Sequence, residues 1–280
     1  MIVKLLARDV RFGLPFLTFS LVAAPLLGVL FSIGSAGDIV YAGESLSAYT
    51  LGDFLAIAFN FSVPLDLWNL IQGRPLSITF SWFFPMAVML SSLLEYPRAD
   101  AFGAGYRAVL ASGSRWAWWI AKCLWACLAV CVFWLLFLAS FMAVAGAFGV
   151  PLSLSVTQEG LSFIRSELSP SMVGMTMLPL IALLVPVCCA LALVQLAVSL
   201  LLDGMFGYVL SMGLLFASSM VYHPLLIGNY LISGRSPGVF PDAFGTNEGL
   251  FLAILMAWAA VAIGGLLVSR MTMYGGARDE

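Results

Sequence analysis

Charged residues are sparse along this chain and cut it into long uncharged runs. No charge falls between Arg11 and Asp38, and the stretch from Gly13 to Gly34 is apolar. Arg74 and Glu95 bracket a second run, and Lys122 and Glu159 a third whose apolar part ends near Gly149. Leu178 to Leu201 lies between Glu167 and Asp203, and Gly204 to Tyr222 between Asp203 and Arg235. Glu248 and Arg270 enclose the last run. A bilayer-crossing helix needs about 20 mostly apolar residues. Lipid offers no partner for backbone polar groups, so such runs must be helical, and the ten-residue alternation of a β-barrel is absent. The pattern predicts an all-α integral membrane protein of six transmembrane helices, near 13–34, 76–94, 120–147, 178–201, 204–222 and 249–269. Together they form a single transmembrane domain over residues 1–280.

Phe54 to Leu65 (FLAIAFNFSVPL) is apolar but too short to cross, which favours an interfacial or re-entrant segment. Val150 to Ser169 sets Leu161, Ile164 and Leu168 at helical spacing among Glu159, Arg165 and Glu167. It reads as a short helix on the outer leaflet or as a structured loop. With the N-terminus inside and six spans, Lys4, Arg8, Arg11, Arg98, Arg107, Arg115, Lys122, Arg270 and Arg278 fall inside. Arg74, Arg165 and Arg235 fall outside. That bias follows the positive-inside rule and predicts that both termini are cytoplasmic. A seventh span would move every later loop to the other side. The basic start looks superficially like a signal peptide. Its apolar run is longer than an h-region and continues past Phe12 without a polar cleavage region, so it reads as an uncleaved first span.

Composition agrees. Hydrophobic residues make up 62% of the chain and charged residues 9%, with a mean hydropathy of +1.05. So little charge cannot cover a water-facing surface, which excludes a soluble enzyme and a disordered chain. Twelve scattered cations exclude a nucleic-acid-binding face.

Several chemistries are missing. The two lysines, Lys4 and Lys122, precede Leu5 and Cys123, so there is no phosphate-cradling Gly-Lys-Ser/Thr. The one histidine, His223, precedes Pro224 at the end of the fifth run and reads as a structural interfacial residue. Cys123, Cys127 and Cys131 share one helix face; three thiols strung up one helix cannot converge on an ion, so a small-residue packing stripe is the better reading. Cys188 and Cys189 point to different faces, and no disulfide is expected. Catalytic, cofactor-binding and metal residues are therefore predicted to be absent. Charge within the spans is scarce, which weakens an ion-driven transporter; Lys122 is the nearest case and is expected to snorkel to the cytoplasmic surface.

The most informative polar stretch is Glu95 to Lys122. Pro97 ends the second run, and Ala99 to Leu110 suits a short helix with Asp100 near its start and Arg107 toward its end, matching the helix dipole. Phe102, Tyr106 and Leu110 recur along one face. Gly113 breaks this helix. Arg115, Trp116, Trp118, Trp119 and Lys122 then form a cationic, aromatic collar at the membrane surface. The collar alone is a membrane anchor. The helix below it is a rigid peg for a cytoplasmic partner.

Six spans without an ATP site, a cytoplasmic helix after span two, and the string Ser114-Arg115-Trp116-x-Trp118-Trp119-x-x-Lys122 resemble an ABC type-2 permease. Thr50-Leu51-Gly52-Asp53-Phe54, and Ile227-Gly228-Asn229-Tyr230-Leu231 with Gly234-Arg235-Ser236, are similar to patterns in bacterial members. The resemblance implies a transmembrane subunit, not itself an enzyme, in the bacterial cytoplasmic (inner) membrane. It implies two copies of a separate ABC ATPase carrying ATP and Mg, and a second permease, identical or related. It makes Ala99 to Leu110 the coupling helix, with Asp100, Phe102, Tyr106, Arg107 and Leu110 facing the ATPase. Pro224 to Asn247 matches the place of the family's outer re-entrant segment, although Pro237 and Pro241 disfavour one continuous helix. The long loop before span two departs from the simplest family pattern. Export of a peptide, lipid or other amphipathic substrate is the expected activity. The alternatives are a non-transporting membrane assembly or immunity factor, and an ATP-independent channel.

Overall fold

The computed structural model describes residues 1–60, 81–94, 99–100, 113–164, 175–236 and 243–270. The described residues are helical apart from turns, loops and one isolated bridge between Ser155 and Thr176. In chain order the helices are α1 (Ile2–Tyr41), α2 (Leu51–Ala58), α3 (Phe84–Ser91), α4 (Arg115–Ala147), α5 (Gln158–Ile164), α6 (Leu178–Leu201), α7 (Gly204–Met220) and α8 (Thr246–Arg270). Four of them, α1, α4, α6 and α8, are long and apolar enough to cross a membrane. α7 is apolar but has 17 residues. The predicted second span, 76–94, falls partly outside the described residues; its described helix is α3.

α1 is longer than the predicted span 13–34. It has 40 residues, about 60 Å at 1.5 Å per residue. The charges from Lys4 to Arg11 do not end it, because part of that turn is buried against other helices. Its packed face is built from small residues, Gly13, Ser20, Ala24, Gly28, Ser32 and Ala36, and its exposed face carries Phe12, Phe19, Val22, Leu26 and Leu30. Small residues inside and large apolar residues outside is the pattern of helices that associate in lipid. A Cβ on Gly13 would sit 2.6 Å from Trp125, and one on Gly28 would strike the Phe137 carbonyl at 2.3 Å. These contacts advance together along both chains, so α1 and α4 run parallel.

α8 runs against α4: Trp119 Nε1 donates to the Val261 carbonyl at 2.8 Å, and Arg115 Nη1 to that of Ser269 at 2.8 Å. α6 is the most enclosed of the long helices and grips α3 through Gln195 Nε2, which donates to the Leu90 carbonyl at 2.9 Å. Gly228 packs on Trp82 and Ser218 at one end of α7, and Gly204 packs on the Leu94 carbonyl at the other. The chain from Trp82 to Leu94 thus descends alongside α7. The N-terminal ends of α1, α4 and α7 meet the C-terminal ends of α6 and α8 at one end of the bundle.

α2 occupies the opposite end. A capping box starts it: Asp53 N donates to Thr50 Oγ1 at 3.3 Å, and Thr50 N donates to Asp53 Oδ2 at 2.7 Å. Eight residues span about 12 Å, too short to cross a bilayer. Phe54, Leu55 and Phe59 are buried within the protein, so the described part of the 54–65 segment is not a surface-lying one. Ser35 Oγ donates to the Phe54 carbonyl at 3.0 Å and Ser233 Oγ to that of Ala56 at 2.7 Å, satisfying carbonyls near its C-terminal end. α5 docks on α2 and buries Leu161; Leu168 lies outside the described residues. The region after α7 folds as two short buried 3-10 turns, Ile227–Leu231 and Ser233–Arg235.

Candidate functional site

Charge is distributed unevenly between the two ends. Among the described residues, Lys4, Arg8, Arg11, Arg115, Lys122 and Arg270 lie at the end holding the N-terminus, with Asp9, Asp100 and Asp203. The other end carries Arg235 against Asp38, Glu44, Asp53, Glu159 and Glu248.

At the cation-rich end four of these charges converge inside the bundle. Gly113, at φ +66°, takes a left-handed turn that side chains disfavour, and Ser114 caps α4 by accepting from Ala117 N at 3.2 Å. Two turns later Lys122 points into the bundle. Its Nζ lies 2.8 Å from Asp9 Oδ1 and 2.6 Å from Asp100 Oδ2. Arg8 Nη2 donates to Asp9 Oδ1 at 3.0 Å and also to Asp100 Oδ2. Trp118 Nε1 donates to Asp100 Oδ2 at 3.2 Å, and its ring centroid lies 5.5 Å from Lys122 Nζ. The Lys122 side chain is 0% exposed, Asp9 1%, Asp100 7% and Arg8 20%. Lys122 therefore does not snorkel to the surface. Two carboxylates within hydrogen-bonding reach compensate its charge inside the bundle.

The predicted collar divides in two. Trp118 and Lys122 turn inward to the cluster. Arg115, Trp116 and Trp119 sit on the last turns of α8, where Arg115 caps carbonyls near the C-terminus and the indoles of Trp119 and Trp116 cover Gly264 and Gly265. Trp116 stays 42% exposed, whereas Trp119 is fully buried. Of the predicted coupling residues, Asp100 belongs to the buried cluster; Phe102, Tyr106, Arg107 and Leu110 lie outside the described residues. The sequence reading missed Asp9 and Arg8, treating them as part of a basic terminus. Their signal was a lone carboxylate among three basic residues, Lys4, Arg8 and Arg11, in the first helical turns.

A second buried cation closes the opposite end. Arg235 donates to the Ser218 carbonyl and Asn229 Oδ1, and through Nη2 to the Ser219 carbonyl at 2.9 Å. Its guanidinium lies 5.8 Å from the Tyr222 ring centroid. Burial pulls its pKa down to about 10, which leaves it charged at neutral pH. A cavity of about 30 Å³ beside it is lined by Leu183, Asn229, Tyr230, Phe244 and Thr246, room for about one water. His223 is exposed and accepts from Leu225 N at 3.2 Å, a turn contact.

The five cysteines are free thiols, with Cys127 and Cys189 facing each other between α4 and α6. Among the described residues no three His, Cys, Asp or Glu are placed to hold a metal. The apolar helices are compatible with a multi-pass membrane protein. No family model, curated protein or solved structure matches the chain.

Proposed function

We propose that the chain is the transmembrane permease subunit of a bacterial ABC type-2 transporter in the cytoplasmic membrane, exporting a peptide, lipid or other amphipathic substrate. Six spans with both termini inside follow if α7 and the chain leading through α3 cross together with the four long helices. The parallel directions of α1 and α4, with the chain through α3 descending between them, and the alternation of α4, α6, α7 and α8 support that count, and the cation-rich end supports the orientation. In this reading the chain performs no hydrolysis. Two partner ATPases bind ATP and Mg, and closure of the ATPases drives a permease dimer between its two states.

The observation that carries the proposal is the position of Asp100. It is held between α1 and α4 at the cation-rich end, the end that this reading sets in the cytoplasm, where an ATPase would dock. Purification of the tagged chain in mild detergent tests this. A stoichiometric ATPase with nucleotide-hydrolysing activity is the expected result. Its absence would favour a non-transporting assembly factor or a channel.

A further inference from the structure

The cations at the end holding the N-terminus divide into two sets. Arg8 and Lys122 are taken up by Asp9 and Asp100 inside the bundle. Lys4, Arg11, Arg115 and Arg270 are exposed, and Asp203 is the one exposed acid at that end among the described residues. Two of the exposed cations share a corner. Arg115 opens α4, and Arg270 lies on the last described turn of α8. Because the two helices are antiparallel, these ends meet: Arg115 Nη1 donates to the carbonyl of Ser269, the residue before Arg270, at 2.8 Å. The Trp116 ring lies over Gly265 at the same corner and remains 42% exposed. Further along the two helices the exposed surface turns apolar, with Leu124 on α4 and Leu266 on α8. Lys4 and Arg11 stand elsewhere, on α1, which meets α4 on another flank through Leu5 against Ala117 and Ala121.

We infer that the corner of α4 and α8 is a binding site for one acidic phospholipid, its anionic headgroup held by Arg115 and Arg270 and its glycerol and upper acyl chain lying against Trp116. Charge and polarity together select that occupant. A soluble acidic partner would match the arginines but leave Leu124 and Leu266 uncovered. A zwitterionic lipid would cover the leucines but bring no net charge to the arginines. An acidic phospholipid meets both, with the exposed indole at the level where tryptophan favours the membrane interface. Such a site needs only that α4 and α8 cross a bilayer, and it is independent of any ATPase partner. Bound there, the lipid would bridge the start of α4 and the end of α8, adding to the bond that Arg115 already makes between them.

The test uses the full chain, purified in neutral detergent and stripped of lipid. It is titrated with phosphatidylglycerol, phosphatidylcholine or inorganic phosphate, bound lipid is counted by native mass spectrometry, and thermal unfolding is followed in parallel. Phosphatidylglycerol should bind more tightly than phosphatidylcholine and should raise the unfolding temperature, because a ligand of the folded state stabilises it. Inorganic phosphate should not displace it, since phosphate lacks the apolar part. Arg115→Gln combined with Arg270→Gln should weaken phosphatidylglycerol about tenfold or more, as each cation beside an acidic headgroup contributes about fivefold. Lys4→Gln combined with Arg11→Gln removes the same charge from the same end and should leave that affinity unchanged. Trp116→Ala should weaken both lipids by a similar factor, because the indole meets the apolar part. Arg270→Gln alone keeps the Arg115 bond to α8 and should give an intermediate loss, which preserves the test if the double variant does not fold. Equal affinity of the parent chain for the two lipids, or displacement by inorganic phosphate, would overturn the inference. So would equal losses from the Arg115/Arg270 and Lys4/Arg11 pairs, which would mean diffuse surface charge rather than a site.

Discussion

Asp9 and Lys122 each lie seven residues past the first helical residue of their helices, Ile2 and Arg115, and their side chains meet at 2.8 Å. The helices run parallel, so equal depth brings opposite charges together. Their energies should be strongly coupled. Asp9→Asn and Lys122→Met should each lower stability by about 3–5 kcal/mol, because each strands a buried charge. The double variant should lose much less than the sum of the two. Thermal unfolding in detergent for the four members of the cycle reads this, and additive losses would contradict it.

The close seating of Trp119 on α8 makes a steric prediction. A Cβ at Gly264 would lie 2.0 Å from the Trp119 ring, whereas nothing lies within 4 Å of one at Gly37. Gly264→Ala should therefore cost about 1–3 kcal/mol, as overpacking does. Gly37→Ala, on an exposed helical face, should be neutral or slightly stabilising. Paired melting curves compare them.

At the opposite end, Asp53 accepts from Thr50 N at 2.7 Å, Thr157 N at 2.8 Å and Thr157 Oγ1 at 3.0 Å. It ties α2 to the loop leading into α5. Asp53→Ala should release that loop, with protease cleavage between Val150 and Gln158 accelerated several-fold. Thr50→Ala removes the cap together with the bond its hydroxyl donates to the Ser155 carbonyl and should cost about 0.5–2 kcal/mol. Equal protection of the parent and Asp53→Ala would dismiss the latch.

Orientation is testable directly. Cysteines at Glu44 and Glu159 should react with an impermeant reagent from outside intact cells, and one at Asp203 only after lysis. A reporter fused after Glu280 should sit on the side opposite one inserted near Glu159. Reaction at Asp203 in intact cells would refute the proposed topology.

On the permease reading, Phe102→Ala combined with Tyr106→Ala should release the ATPase and abolish stimulated hydrolysis while membrane insertion persists. A buried aromatic anchor at an interface is worth about 2 kcal/mol or more. Arg107→Ala should do less, as an exposed charge contributes little. Retention of the ATPase by the double variant would remove this segment from the interface.

The long helices were legible because charges punctuate the chain where they end. The predicted spans 178–201 and 204–222 compare with Leu178–Leu201 and Gly204–Met220, separated by Asp203, which caps α7 by accepting from Gly204 N. The same rule misled at α1. Lys4 to Arg11 looked like an exterior boundary, yet the helix runs through them because Asp9 finds its partner inside. That partner is 113 residues away, a separation no periodicity exposes. Burial of α2 was likewise hidden, since it depends on hydroxyls from Ser35 and Ser233 that are distant in sequence.

The 17 residues of α7 span about 25 Å, a few ångströms less than the hydrocarbon thickness of an average bilayer, about 30 Å. α7 presents Met205, Phe206, Val209, Leu210 and Phe216 at its exposed surface. On the six-span reading, lipid beside it would have to compress to cover that face without wetting it, at a cost that rises with each ångström of mismatch. α1, about twice as long, has surplus length that it can absorb by tilting. On that reading one molecule would set two different boundary conditions on its annulus, a thinned membrane along α7 and an unstrained one along α1.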